Sequence, residues 1–155
     1  MKIPEVHFDS FEIVGIEART TNAREATPSG VIGAMWARLG KERFLDRIPH
    51  RVDSDILVLF TDYESNKDGA YTYVLGTKVS SAKELPVGFV SYKVPAGSYA
   101  EFKGAGTQPA KVVLELWQKV WALANSKELN RAYKTDFEVH AASGGRVQLY
   151  IGLKD

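Results

Sequence analysis

The strongest constraint on the fold is a pattern that occurs twice along the chain: a strand, a helix and two further strands. In the first half, the β-branched run at 11–19 predicts a strand, and apolar residues at helical spacing predict a helix over 28–47. Strands are predicted at 56–64 and 70–79, and Asp68–Gly69 between them is typical of a hairpin turn. The first half is therefore predicted to be β-α-β-β.

The second half shows the same order of periodicities. A long strand is predicted over 88–104, bent near Pro95–Gly97, and a helix follows over 109–126. Strands at 133–141 and 146–154 then form a hairpin around the turn Ser143–Gly145.

The two halves also align in detail. Trp36 in the first helix corresponds to Trp117 in the second, and Gly76 corresponds to Gly152. We therefore predict an α+β fold of two β-α-β-β repeats, about 1–82 and 83–155, related by a pseudo-twofold axis within a single domain. Antiparallel sheets and two main helices would enclose a central cleft, which is a common place for small-molecule sites.

Composition excludes several classes of protein. The net charge is +1, and there is no cysteine. The balanced charge disfavours a nucleic-acid-binding surface, and the lack of thiols rules out disulfides and thiolate metal sites. The N-terminal segment lacks the apolar core of a signal peptide, and the apolar run at 56–60 is too short to cross a membrane. A cytoplasmic protein is expected.

Motifs for catalysis or cofactor binding are missing from the sequence. His7, His50 and His140 lack the spacing of metal ligands. The sequence offers no nucleophile motif and no glycine-rich phosphate loop. No metal, cofactor or catalytic residue is therefore predicted.

The run DFEVHA, Asp136 to Ala141, raises a question about Glu138. In a strand, Asp136, Glu138 and His140 share one face, and Phe137 and Val139 share the other. If Phe137 and Val139 enter the core, Glu138 lies in solvent. Alternatively, Glu138 lies at the base of a pocket. Composition alone favours the solvent-exposed position.

A family resemblance is carried by four groups of segments that together cover nearly the whole chain. They are RTTN with MWARL, YESNKDGAYTYVLGTKV, VPAGSYAEFKG, and DFEVH followed by VQLYIGL. On these segments the chain resembles the AraC-type effector-binding domains of the gyrase-inhibitor-like superfamily, and most of all the integron-cassette effector-binding proteins. The resemblance implies that Glu138 faces a central cleft and pairs with cationic aromatic ligands. The family usually has tyrosine where this chain has His140.

Eight residues form the candidate ligand site. Trp36 and Trp117 are favoured over Trp121 because they occupy matched helix positions, although helical spacing is equally consistent with core packing. The resemblance ranks Tyr71 and Tyr150 first among the strand tyrosines, which are otherwise ordinary packing residues. Phe60 and Phe102 are assigned mainly to the core, with Phe60 kept as a candidate. The predicted ligand-binding set is Glu138, Trp36, Trp117, Tyr71, Tyr150, Tyr99, His140 and Phe60.

Three functions remain open at this point. The first is a stand-alone binding protein for amphipathic, cationic aromatic compounds, acting with or without a separate transcriptional regulator, as a monomer or homodimer. The second is a hydrolase of cyclopropane-bearing natural products that uses Glu138 with Tyr71 or Tyr150. The third is an interaction protein similar to gyrase inhibitors. The first is preferred, with no direct contact with nucleic acid or membrane.

Overall fold

A computed structural model describes residues 3–155, which form one antiparallel sheet of eight strands with helices packed against it. The elements in chain order are β1 (Glu5–Phe8), β2 (Phe11–Thr20), α1 (Asn22–Glu25), α2 (Ile32–Glu42), a 3₁₀ helix (Phe44–Arg47), β3 (Ile56–Thr61), β4 (Tyr71–Val79), β5 (Val90–Val94), β6 (Gly97–Ala105), α3 (Pro109–Asn125), β7 (Arg131–His140) and β8 (Arg146–Leu153).

The strand order shows the predicted pseudo-twofold repeat. The order across the sheet is β1-β6-β8-β7-β3-β4-β2-β5. The units β2-α2-β3-β4 and β6-α3-β7-β8 meet where β3 pairs with β7, and the strand order from this junction outward is the same in both units. The α+β fold with two β-α-β-β repeats is thus confirmed.

The short strands β1 and β5 exchange between the repeats. β1 precedes β2 in the chain but pairs with β6, whereas β5 precedes β6 but pairs with β2. In a flat sheet β5 and β6 would be about 29 Å apart, at roughly 4.8 Å per strand. The link across Pro95 and Ala96 spans at most about 11 Å. The sheet must therefore curl until its two ends approach each other.

The two faces of the sheet carry different cores. One face packs against α2 and α3 and includes Val58, Leu75 and Leu149. The other carries a cluster of Phe137, Tyr99 and Tyr150 with the flanking Phe8 and Phe11, and the helices contribute none of its described members. Because none of the helices described in residues 3–155 contributes to this second face, the curl of the sheet itself must bury it.

The first predicted helix differs from the structure. In place of one helix over 28–47 the chain forms α1, α2 and the 3₁₀ helix. Pro28 does not begin a helix, because the side chain of Glu25 accepts hydrogen bonds from the backbone N–H groups of Val31 and Ile32 and so fixes the start of α2. α2 ends where Arg43 adopts a left-handed conformation at φ 49°.

The predicted second helix and both hairpins agree closely with the observed elements. The aligned glycines are explained by close backbone contacts. A side chain at Gly76 would lie 2.1 Å from the carbonyl oxygen of Val14, and one at Gly152 would lie 2.5 Å from that of Thr135. None of the helices described for residues 3–155 has the length and hydrophobicity needed to span a bilayer.

Candidate functional site

A cavity of about 500 Å³ lies between the helices and the sheet. Residues of α2, β3, β4, α3 and β7 line it, so both repeats contribute to its walls. Its aromatic lining residues are Trp36, Phe60, Tyr63, Tyr71, Tyr73, Trp117 and Trp121. The charged and titratable residues that line it are Glu25, Lys67, Arg131, Glu138 and His140.

Glu138 lies in this cavity rather than in solvent. It is only 3% exposed, while its neighbour Phe137 points into the core of the opposite face. Both of its carboxylate oxygens are hydrogen-bonded. The indole Nε1 of Trp117 donates to Oε2 at 2.8 Å, and Nε2 of His140 lies 2.8 Å from Oε1. In residues 3–155 no lysine or arginine lies within 4.0 Å of this carboxylate.

Asp136, on the same face of β7, has a different environment. Its Oδ2 accepts from the guanidinium of Arg131 at 2.9 Å and from the hydroxyl of Tyr63 at 2.6 Å, and its Oδ1 accepts from the N–H of Gly152 at 2.8 Å. Asp136 is 0% exposed. Burial acts to lower the pKa of Arg131, but the charge of Asp136 raises it above its ordinary value. Asp136 and Arg131 thus form a buried ion pair within the protein.

A β-bulge brings Arg131 into the site. The pairing of β7 with β8 shifts register between Arg131 and Asp136, and Tyr133 within this stretch has a positive φ of 54°. As a result the Arg131 guanidinium lies 4.3 Å from the centre of the Tyr133 ring and 5.5 Å from that of Trp117. The cavity wall thus already holds one cation against aromatic rings.

The tryptophans differ in their polar contacts. Trp36 donates its Nε1–H to the hydroxyl of Tyr73 at 2.8 Å, and its ring lies 4.9 Å from the ring of His140. Trp117 packs edge-on against Phe60 at 4.9 Å. By contrast, Nε1 of Trp121 is buried without a hydrogen-bond partner.

Tyr71 contributes a neutral hydroxyl to the cavity, within the electrostatic influence of Glu25 and Glu138. Burial raises its pKa well above the ordinary value, and the negative charges of Glu25 and Glu138 raise it further. The group therefore stays protonated at neutral pH and acts as a phenol rather than a phenolate. Glu25 itself is held in place by hydrogen bonds from Thr20, Val31 and Ile32.

Six of the eight predicted site residues line the cavity: Glu138, Trp36, Trp117, Tyr71, His140 and Phe60. Tyr99 and Tyr150 do not. Both lie in the cluster on the opposite face, where the hydroxyl of Tyr99 donates to the carbonyl of Pro95 and that of Tyr150 donates to Glu101. The reason is strand alternation, because Leu149 and Ile151 occupy the helix-covered face and turn Tyr150 away from it.

Several lining residues were not in the predicted set. Tyr73 follows Tyr71 by two positions on a strand, and Trp121 follows Trp117 by four on a helix, so both periodicities placed them on the right face. No strand or helix periodicity assigned Tyr63 and Arg131 to the cavity face, because Tyr63 follows the end of β3 and Arg131 precedes the bulge in β7. Across residues 3–155, no cluster of three or more histidine, cysteine or acidic side chains is arranged to hold a metal ion.

Comparison with known proteins gives full-length matches. A crystal structure of the integron cassette protein VCH_CASS2 from Vibrio cholerae is 31% identical, with a TM-score of 0.81 over 98% of this chain and 95% of that one. The Bacillus subtilis protein YobU, named as a transcriptional regulator, is 29% identical over 96% of this chain and 95% of its own length.

Two further matches are with a longer protein and with a less similar one. The transcriptional regulator BrlR of Pseudomonas aeruginosa is 29% identical over 84% of this chain, which spans 45% of BrlR. A structure of SAV2435 bound to tetraphenylphosphonium is 17% identical, with a TM-score of 0.73 over 99% of this chain and 94% of that one.

The family model described as integron-associated effector binding protein matches residues 6–153. Together with the near-complete overlap with VCH_CASS2, this match identifies the family. The chain belongs to the integron-associated effector binding proteins.

Proposed function

We propose that this protein binds amphipathic, cationic aromatic small molecules in the cavity between its helices and sheet, with Glu138 as the counter-charge. The observation that carries the proposal is the environment of Glu138: a carboxylate that is 3% exposed, opens onto an aromatic cavity and has no lysine or arginine partner in the described chain. Burying an unpaired charge is costly, so a site of this kind gains most from a ligand that brings a positive charge.

The walls suit the remainder of such a ligand. Trp36, Trp117 and Tyr71 present aromatic surface, and an organic cation gains cation–π attraction as well as apolar burial there. A volume of about 500 Å³ lies within the usual range for small-molecule pockets. The complex of SAV2435 with tetraphenylphosphonium supports a cationic ligand, since that protein shares the fold.

The biological role that follows is effector sensing. YobU and BrlR are both named as transcriptional regulators, which supports a role in reporting a small molecule to transcription. This chain spans 45% of BrlR, so the proposed role is limited to binding the small molecule.

Tryptophan fluorescence provides the test, since all three tryptophans line the cavity. Titration with tetraphenylphosphonium should quench the emission saturably with one site per chain, while a neutral aromatic compound of similar size should bind more weakly. The ligand should be recovered unchanged. Failure of tetraphenylphosphonium to bind, checked by calorimetry, would contradict the proposal. Turnover of a cyclopropane electrophile that is lost in Glu138→Gln would favour the hydrolase instead.

A further inference from the structure

His140 supplies a second polar group beside Glu138, and its two ring nitrogens are in different situations. The ring is buried, with 10% of the side chain exposed, and lines the cavity. Its Nε2 lies 2.8 Å from Oε1 of Glu138. An ionised carboxylate only accepts hydrogen bonds, so Nε2 carries the proton of this contact.

The other nitrogen, Nδ1, is therefore a hydrogen-bond acceptor in the neutral ring. Among the described residues it has no hydrogen-bond partner: the contact with Glu138 is the one side-chain hydrogen bond that the ring makes. Three side-chain nitrogens or oxygens of the described residues are fully buried without a hydrogen-bond partner, namely Arg51 Nε, Trp121 Nε1 and Arg131 Nε. Nδ1 of His140 has no partner and is not among these atoms, so it is not fully buried. It therefore remains accessible on a ring that lines the cavity.

We propose that Nδ1 of His140 accepts a hydrogen bond from the ligand, so that this protein selects cations that carry an N–H group, such as protonated amines, over permanently charged cations that carry none. This inference rests on the proposed function and names the class of ligand for the same site. The ammonium N–H would point at Nδ1 while its charge lies next to Glu138, and the aromatic part of the ligand would contact Trp36, 4.9 Å from the His140 ring.

The preference arises from desolvation. A protonated amine gives up hydrogen bonds to water when it enters an apolar cavity, and it binds well only if the site replaces them. A quaternary ammonium has no such bonds to lose. Without an acceptor at position 140, an aromatic pocket should bind the quaternary cation more tightly than the protonated amine. With Nδ1 present, a charge-assisted hydrogen bond from the amine should make the amine the tighter ligand.

The test compares two ligands that differ by one methyl group: a (naphthylmethyl)trimethylammonium salt and the corresponding dimethylamine, which is protonated at neutral pH. Calorimetry on the wild-type protein should show the protonated amine binding about 5- to 30-fold more tightly. Equal affinities, or tighter binding of the trimethylammonium, would overturn this inference and leave the proposed function intact. If neither cation binds, the proposed function fails as well.

Substitutions at position 140 then test whether His140 is the source of the preference for the protonated amine. His140→Phe should bring the affinity ratio to one or below while the trimethylammonium still binds, which also reports a folded cavity. His140→Gln keeps an N–H for Glu138 and an oxygen for the ligand, so it should retain part of the preference. The matched control is His7→Gln, since His7 is exposed on β1 and remote from the cavity lining. A ratio unchanged in His140→Phe would overturn the assignment to His140.

Discussion

Asp136 and Glu138 lie two residues apart on one face of β7, both buried, yet their partners are of opposite kinds. Asp136 accepts hydrogen bonds from a guanidinium, a phenol and a backbone N–H, and the guanidinium supplies its counter-charge. Glu138 contacts an indole and an imidazole, which fix its orientation without lysine or arginine charge in the described chain.

The difference distinguishes a carboxylate that stabilises the fold, Asp136, from one that is available to a ligand, Glu138. In the pair of Asp136 with Arg131 each charge already has its counter-charge within the protein, and removing either partner leaves the other buried and uncompensated. A carboxylate that is held only by hydrogen bonds at the wall of a cavity keeps its charge available. The same strand thus carries one charge that serves the fold and one that we propose serves binding.

The largest effect on stability is expected at the closed pair. Asp136→Asn leaves the Arg131 guanidinium buried, at 2% side-chain exposure, without its counter-charge. The free energy of unfolding, measured with urea, should fall by about 3–5 kcal/mol. The control is Glu42→Gln, which breaks the exposed pair with Arg38 and should cost less than about 1 kcal/mol. A similar small loss for both variants would remove the distinction between the two carboxylates.

Trp117 and Trp121 differ in whether they hold the Glu138 carboxylate in place. Trp117 donates its Nε1–H to Glu138, whereas Nε1 of Trp121 has no partner. Both tryptophan-to-phenylalanine changes remove a similar area of ring, but only Trp117→Phe breaks a hydrogen bond to a charged group. Trp117→Phe should therefore be about 1.5–3 kcal/mol more destabilising than Trp121→Phe in urea unfolding. Equal losses would indicate that this hydrogen bond does not position Glu138.

Glu25, the other carboxylate that lines the cavity, should give the smallest effect. Burial acts to raise its pKa, but hydrogen bonds from Thr20, Ile32 and Val31 lower it below the usual value of 4.5. Its stabilising effect is thus present above pH 4.5 and is lost as pH falls through the lowered pKa. Glu25→Ala should cost about 1 kcal/mol at pH 7, as for a lost helix cap.

The control for Glu25→Ala is to measure its effect on stability as a function of pH. The difference in unfolding free energy between the wild type and Glu25→Ala should narrow as pH falls below 4.5. A difference that stays constant from pH 7 to pH 3 would show that Glu25 does not act through its charged form.

The sequence predicted the repeats because each depends on local periodicity and turn residues. It missed β1, whose four residues are stabilised by pairing with β6, 89 to 95 positions further along the chain. Such a pairing leaves no local signal. The same exchange of strands produces the curl of the sheet, so the division into two buried faces was not predictable either.

Within the site, strand alternation predicted which residues share a face, whereas the position of Glu138 in a cleft was implied by the family resemblance and not by composition. Glu138 and His140 share a face of β7, and both line the cavity. Tyr150 was ranked first on the family resemblance, but alternation along β8 places its side chain in the cluster on the face opposite the cavity. Arg131 reaches the site through a bulge at Tyr133, and no periodic pattern contains that information.

If the charge of Glu138 serves a ligand and not the fold, Glu138→Gln should separate the two properties directly. The glutamine can accept from Trp117 and donate to His140 in its other tautomer, so the free energy of unfolding should change by less than about 1 kcal/mol. The affinity for tetraphenylphosphonium should fall by about 30- to 1000-fold. A neutral aromatic ligand should lose much less. Unchanged cation affinity, with a clear loss of stability, would contradict the account and place Glu138 with Asp136 as a structural carboxylate.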